Sequence, residues 1–223
     1  MLIKLETLAK ITIDPKQESY ERLTEAEKAT YKAKSLTQQL LTFSSGGAPI
    51  LKTASIDNLL RESINFILSG SKVKPEFHIP DDLSPVYIDK GQINQVINNI
   101  VLNAEQAMPN GGIIKVFAEN VNLKDGFTSN LETRKYVKIS IQDNGTGIPK
   151  EHLSKIFDPY FTTKQKGSGL GLTISYAIIK KHNGHIEVES ELGKGTTFHI
   201  YLPVSNEQIL PEKEEKEHDI IHG

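Results

Sequence analysis

The sequence predicts an α+β fold, a two-layer sandwich in which helices cover a mixed sheet, preceded by a helical segment. Three observations carry this. Apolar residues recur at steps of three and four in separate stretches, four later stretches alternate as strands do, and the two kinds interleave without a regular βαβ repeat. The first helix is expected in "SYERLTEAEKATYKAKSLTQQLLTF", where Leu23, Ala26, Ala29 or Thr30, Ala33, Leu36, Leu40 and Phe43 share a face; "SSGGAP" ends it. "SIDNLLRESINFIL" follows as a second helix with Ser55 as N-cap. "KPEFHIP" and "SPVYID" read as short strands. A third helix spans Gln92 to Met108, with Ile93, Val96, Ile97, Ile100, Val101, Ala104, Ala107 and Met108 as its core face. Four strands are expected in "GIIKVFAEN", "YVKISIQD", "GHIEVESE" and "TTFHIYLP". A polar loop joins the first two, and the last two form a hairpin around "LGKG". Between the second and third of these strands, an apolar helical run follows the glycines of "KGSGLGL".

The chain of 223 residues has room for one substantial domain and an accessory segment. Its boundaries are expected at 1–48 for the N-terminal helical region, 49–204 for the sandwich and 205–223 for a charged tail or linker. A formal charge of −2 provides no global basic field for nucleic acid. No apolar run approaches a membrane span, so no membrane contact is expected from this segment, and the absence of cysteine excludes disulfides and thiolate chemistry. A cytoplasmic location is expected.

Three stretches carry candidate chemistry. On the third helix Gln95, Asn99, Asn103 and Gln106 form a stripe of neutral amides opposite the core face. Mid-helix asparagine is a poor helix former, and an ordinary solvated face would be charged. Amide oxygens in a cleft can ligate a hard cation such as Mg²⁺, which keeps several waters and favours phosphate oxygens. In "ISIQDNGTGIP", Asp143 falls at a strand end before Gly145 and Gly147. Its carboxylate could accept from an exocyclic amine while the glycines let a ring approach the backbone. An Asp-Asn-Gly turn explains the same residues. In "KGSGLGL", Gly167, Gly169 and Gly171 open a helix whose free N–H groups could meet an anion, with Lys164 and Lys166 just upstream. The spacing matches neither a P-loop nor a dinucleotide-binding fingerprint, and a flexible loop is the plain alternative.

Taken in order, "NIVLNAEQA", "DNGTGIP", "FDPYFTT", "GSGLGL" and "GKGTTF" resemble the N, G1, F, G2 and G3 boxes of sensor histidine kinases. That family shares its ATP-binding domain, the Bergerat fold of the GHKL superfamily, with type II topoisomerases and mismatch-repair ATPases. The resemblance covers roughly Thr53 to Pro203. It implies Mg-ATP bound beneath a mobile lid at about residues 157–168. Asn103 then resembles the Mg²⁺ ligand, with Asn99 one turn earlier near the phosphates. Asp143 resembles the adenine reader, supported by Thr196, and Gly145, Gly147 and Ile148 shape the adenine pocket. Gly167, Ser168, Gly169, Leu170 and Gly171 bring backbone to the phosphates, with Lys164 and Lys166 as added charge.

Two departures matter. Related hydrolases place a glutamate four residues before the Mg²⁺-binding asparagine, as general base. Here that residue is Asn99, which takes no proton at neutral pH, so phosphoryl transfer is favoured over hydrolysis. The lysine often found three residues after the asparagine is Gln106, so Mg²⁺ with Lys164 or Lys166 is expected to balance the phosphate charge.

"KLETLAK" and the stretch from Tyr20 to Pro49 also resemble parts of the family's dimerisation and phosphotransfer hairpin. Only "ITIDPKQES" lies between them, and no histidine precedes His78. The phosphoacceptor box is absent, through loss of a helix or because the acceptor is another chain. His78, His152, His182, His185 and His199 fall in strands, turns or a short helix and read as structural, while His218 lacks an apolar helical context. The chain alone is expected to bind ATP without autophosphorylating. Expected partners are ATP or ADP, a histidine-bearing phosphotransfer domain, a response-regulator receiver domain and a second copy through residues 20–43. A non-catalytic nucleotide-binding module and a slow ATPase are the competing readings.

Overall fold

The computed structural model describes residues 17–26, 30, 48–123, 134–164, 167–205 and 207. Residues 18–26 are helical. Apart from residue 30, also helical, the rest of the expected first helix with its Leu36, Leu40 and Phe43 seam, most of the 20–43 range expected to form a dimer contact, and nearly all of the expected tail lie outside the described residues.

From residue 48 the elements run β1 (Lys52–Ala54), α1 (Ile56–Ile67), β2 (Val73–His78), β3 (Val86–Ile88), α2 (Lys90–Gln106), β4 (Gly112–Leu123), β5 (Arg134–Asp143), α3 (Lys150–Leu153), α4 (Gly171–Lys181), β6 (His185–Glu191) and β7 (Gly195–Pro203). Five strands form the main sheet in the order β2-β4-β5-β7-β6. Only the β2–β4 pairing is parallel, so the sheet is mixed as expected. The parallel pair follows from the crossover through β3 and α2, because parallel neighbours need a long connection.

Alternation decides which face is covered. Ile114 and Val116 on β4, Val137, Ile139 and Ile141 on β5, and Phe198, Ile200 and Leu202 on β7 point into one core with the helices. Helix α2 contributes Ile93, Val96, Ile97, Ile100, Val101 and Ala104, all of them buried. Helix α4 adds Ile174, Ile178 and Ile179. Each fully buried aliphatic side chain contributes roughly 1.5–3 kcal/mol, so the core holds α2 firmly and fixes the direction of its opposite stripe.

From residue 52 on, the expected elements are present, with shifted ends. Helix α2 begins at Lys90 because Asp89 caps it, its carboxylate accepting from the Gln92 N–H at 3.0 Å. Ser55 occupies the N-cap of α1 without a side-chain cap bond. Strands β4 and β5 extend into the expected polar loop at both ends, pairing as far as Leu123 with Arg134. The short strand β1, unforeseen in the sequence, pairs antiparallel with β3. His182 joins the end of α4 to the start of α2. Its Nε2 accepts from the Asp89 N–H at 3.0 Å and its Nδ1 lies 2.8 Å from the Ile178 carbonyl, so the proton sits on Nδ1. Burial lowers the pKa of this ring, opposed by the Ile178 carbonyl and the Asp89 charge.

Candidate functional site

The C-terminal half of α2, the end of β5, the start of α4, the start of β7 and residues between 156 and 164 and from 167 to 169 surround a cleft of about 490 Å³. Asn99, Asn103, Lys164, Asp143, Gly147, Ile148, Gly167, Ser168, Gly169, Gly171 and Thr196 all line it, brought together from four separate parts of the chain. Gly145 and Leu170 are not among its lining residues. Lys166 lies outside the described residues.

Asp143 anchors one end. It is the last residue of β5 and only 6% exposed, and its Oδ1 accepts from the Gly145 N–H at 2.9 Å and the Thr196 N–H at 3.2 Å. Burial raises its pKa, and the two backbone bonds oppose that rise. Among the described residues both bonds fall on Oδ1, which leaves Oδ2 for a donor in the cleft. The loop that follows is held by backbone. Thr146 N–H donates to the Ala107 carbonyl at 3.3 Å, and Gly193 N–H to the Thr146 carbonyl at 2.7 Å. Gly147 has φ +70°, and a Cβ there would collide with the Glu191 carbonyl, so position 147 needs glycine.

Ser190 is a residue that the sequence reading missed. Its hydroxyl accepts from the Ile148 N–H at 2.8 Å, donates to the Gly195 carbonyl at 2.8 Å, and sits 2.9 Å from the Thr196 hydroxyl. One side chain therefore ties the G1 loop to the β6–β7 hairpin behind Thr196. As a serine within an alternating strand it gave no local signal.

The other end is built differently. Asn99 donates its amide to the Gly171 carbonyl at 2.9 Å and to Ser175 Oγ at 3.2 Å, and Ser175 donates in turn to Gly171 O. The donor of Asn99 thus joins α2 to the first turn of α4. Asn103, one turn on, faces the cleft, and Lys164 Nζ donates to its Oδ1 at 2.7 Å and to Gln106 Oε1 at 2.7 Å. Among the described residues lining the cleft, Lys164 is the one lysine or arginine. An ammonium already resting on Asn103 Oδ1 marks that oxygen as a hard donor open to a cation. A lone neutral oxygen beside open space suits Mg²⁺, which takes few protein ligands and completes its shell with water and phosphate.

The alternating glycines divide their work. Gly169, at φ +68°, packs on the Tyr160 backbone, where a Cβ would clash, and its carbonyl accepts from the Tyr160 N–H at 3.1 Å. Gly171 leads α4 with room to spare, its nearest contact to an added Cβ being Asn99 at 3.5 Å. So Gly169 packs on the 160 turn, while Gly171 and Leu172 at the start of α4 line the cleft and the N–H groups of its first three residues lack intrahelical acceptors, the Ile174 N–H donating to the Leu170 carbonyl at 2.9 Å. His152 also lines the cleft and packs edge-on against Phe161 of the lid, with ring centroids 5.4 Å apart.

Comparison with known proteins agrees with this geometry. Residues 88–206 match the family described as histidine kinase-, DNA gyrase B-, and HSP90-like ATPase. The sensor kinase CckA of Brucella abortus is 39% identical over 189 residues, 82% of this chain but 20% of that kinase's length. The catalytic domain of histidine kinase ThkA superposes with a TM-score of 0.56 at 31% identity, over 69% of this chain and 95% of that one. Full-length ShkA, solved in complex with AMPPNP, shares the fold with a TM-score of 0.69 at 22% identity, covering 86% of this chain and 40% of that one. The chain belongs to the histidine kinase-, DNA gyrase B- and HSP90-like ATPase family, and within it to the sensor histidine kinase catalytic domains.

Proposed function

We propose that this chain is the ATP-binding catalytic region of a two-component sensor histidine kinase, and that it transfers the γ-phosphoryl group of ATP to a histidine on a separate phosphotransfer domain. The observation that carries the reading is the pairing of two groups in one cleft: a backbone-pinned Asp143 at one end and, at the other, Asn103, whose Oδ1 holds the Lys164 ammonium. Asp143 Oδ2 accepts from the adenine amine, with Thr196 and Ile148 completing that wall and Gly145 and Gly147 keeping it thin. Asn103 Oδ1 would hold Mg²⁺, which when bound neutralises charge on the phosphate oxygens. Lys164, Lys166, Gly167, Ser168 and the backbone from Gly169 to Gly171 serve the phosphates. The residues act by positioning and charge neutralisation, the main means by which phosphoryl transfer is catalysed.

Asn99 supports transfer over hydrolysis. Its amide is committed to Gly171 O and Ser175 Oγ and carries no base, so no side chain at this position activates water. The receiving histidine belongs to a partner domain, followed by a receiver domain of a response regulator. Residues 1–48 are the remnant of the helical phosphotransfer region, with a homodimer contact through 20–43, residues 49–204 are the catalytic domain, and 205–223 form a charged tail. No helix among the described residues is long and apolar enough to cross a membrane, and the reading places the domain in the cytoplasm.

The test incubates the chain with γ-labelled Mg-ATP, alone and with a supplied histidine-bearing phosphotransfer domain. Label is expected on that domain and not on the chain itself, and Asn103→Ala should abolish it. Steady phosphate release without protein label would favour the slow ATPase. Nucleotide binding without either product would favour a non-catalytic module.

A further inference from the structure

His152 reads as structural in the sequence, yet its ring lines the cleft. Its Nδ1 is buried and has no hydrogen-bond partner among the described residues. Gln92 Oε1 and His185 Nδ1 share that condition, but neither residue lines the cleft. A buried polar atom without a partner costs free energy, so a fold that keeps one at a binding site calls for a reason. We propose that His152 is a specificity-determining residue that hydrogen-bonds the ribose hydroxyls of the nucleotide, so that the site takes ribonucleotides over nucleotides lacking those groups. The inference rests on the ATP-site reading above.

The position of His152 follows from its connections in both directions. Just before it in the chain, Ile148 is held by Ser190 beside Thr196, at the Asp143 end. Helix α3 starts after Pro149, whose carbonyl accepts from the His152 N–H at 2.9 Å. The His152 ring then meets Phe161 edge-on, and just beyond Phe161 the side chain of Lys164 reaches Asn103 at the other end of the cleft. His152 therefore stands where the wall from the base end meets the segment that leads to the phosphate end. In a nucleoside triphosphate the sugar joins the base to the phosphates, so a ligand spanning Asp143 and Asn103 carries its ribose past this part of the wall. From Ile148 to Phe161 the lining residues are Ile148, Pro149, His152, Ile156 and Phe161, and His152 alone among these has a polar side chain. A hydroxyl both donates and accepts, while a neutral imidazole has one nitrogen of each kind, so the pair forms with either tautomer. A half-turn of the ring about its bond to Cβ carries Nδ1 from one side to the other, so its present cover does not keep it from the sugar. Nδ1 gives up no hydrogen bond in making this one.

Calorimetric titration with Mg-ATP and with Mg-2′,3′-dideoxy-ATP, which lacks both hydroxyls, tests this without relying on turnover. Wild type should bind ATP about tenfold more tightly, the scale of one hydrogen bond whose loss leaves a buried group unpaired. His152→Phe keeps a flat ring against Phe161 but no nitrogen. It should weaken ATP by about tenfold and leave the dideoxy nucleotide within about twofold, so that the preference vanishes. His152→Ala, titrated beside it, should lose the preference as well. His152→Asn places an amide where Nδ1 stands and should retain part of it. Equal binding of the two nucleotides by wild type, a preference that survives in His152→Phe or His152→Ala, equal weakening of both nucleotides by those substitutions, or no preference in His152→Asn would each overturn the proposal. A wild-type chain that binds neither nucleotide would overturn the ATP-site reading, and this inference with it.

Discussion

The two ends of the cleft are made of different materials. At the Asp143 end, buried groups meet backbone: two N–H groups on one carboxylate oxygen, a glycine at positive φ against Glu191, and a serine hydroxyl tied to Ile148 and the β6–β7 hairpin. At the Lys164 end, exposed side chains meet other side chains, and the lid that supplies them touches α2 through a lysine tip. The first arrangement is set before any ligand arrives, so little ordering entropy is spent on binding. The second has acceptors that a metal and phosphates could replace. A site that must recognise a base and then rearrange around a reacting phosphate gains from this division.

The comparison can be broken most decisively at Asn103. Asn103→Ala should reduce label transfer to a supplied phosphotransfer domain by about 100- to 1,000-fold, the scale seen when a positioned electrostatic group is removed. The melting temperature should hardly change, because Asn103 is not part of the core. If the melting temperature collapsed instead, the phosphate end would be as structural as the Asp143 end.

Gly147→Ala probes the rigid end. It places a Cβ where the Glu191 carbonyl stands, at φ +70°, and should cost roughly 2–4 kcal/mol of stability as well as nucleotide affinity. Ser190→Ala is gentler. It leaves the Ile148 N–H without its acceptor and should cost about 1–3 kcal/mol, with several-fold weaker ATP binding, both read by denaturant titration and calorimetry. Retained stability in either variant would show the end to be less tightly built than its contacts imply.

The smallest effect expected is a pH dependence. Burial lowers the pKa of His182, so the unfolded chain binds more protons than the folded one below the ring's ordinary value of 6.5. His182 therefore stabilises the fold fully above that value and loses its contribution as pH falls from 6.5 towards the lowered pKa. His182→Gln, which removes the titrating ring, should show a shallower fall in denaturant midpoint between pH 7 and pH 5 than wild type. Parallel curves would mean that His182 titrates alike in both states.

Much of this was legible because the signals were local and periodic. The α2 core face followed from helical spacing, and once its face was set, the amide stripe had to point the other way. Asp143 was legible as a carboxylate at a strand end followed by glycines. Asp89 as the α2 cap was legible too, in its three-residue spacing from Gln92, but went unread. Ser190 and the Lys164 contact with α2 were not legible. Each depends on partners brought near only by the fold, Lys164 meeting residues 58 and 61 positions away. Lys164 was a candidate for its charge, as a substitute for the lysine missing at position 106, but its hydrogen bond to Gln106 itself was not foreseen. Strand β1 escaped because three residues are too few to show alternation.

The most direct test of the ATP site is a calorimetric comparison of Mg-ATP with Mg-GTP on wild type and Asp143→Ala. Guanine presents a carbonyl where adenine has its amine. Wild type should therefore favour ATP by about 100-fold or more, the penalty for leaving a buried carboxylate facing an acceptor, and Asp143→Ala should lose ATP affinity and most of that preference. Equal binding of the two nucleotides by wild type, or a preference that survives the loss of Asp143, would contradict the assignment of this end of the cleft to adenine.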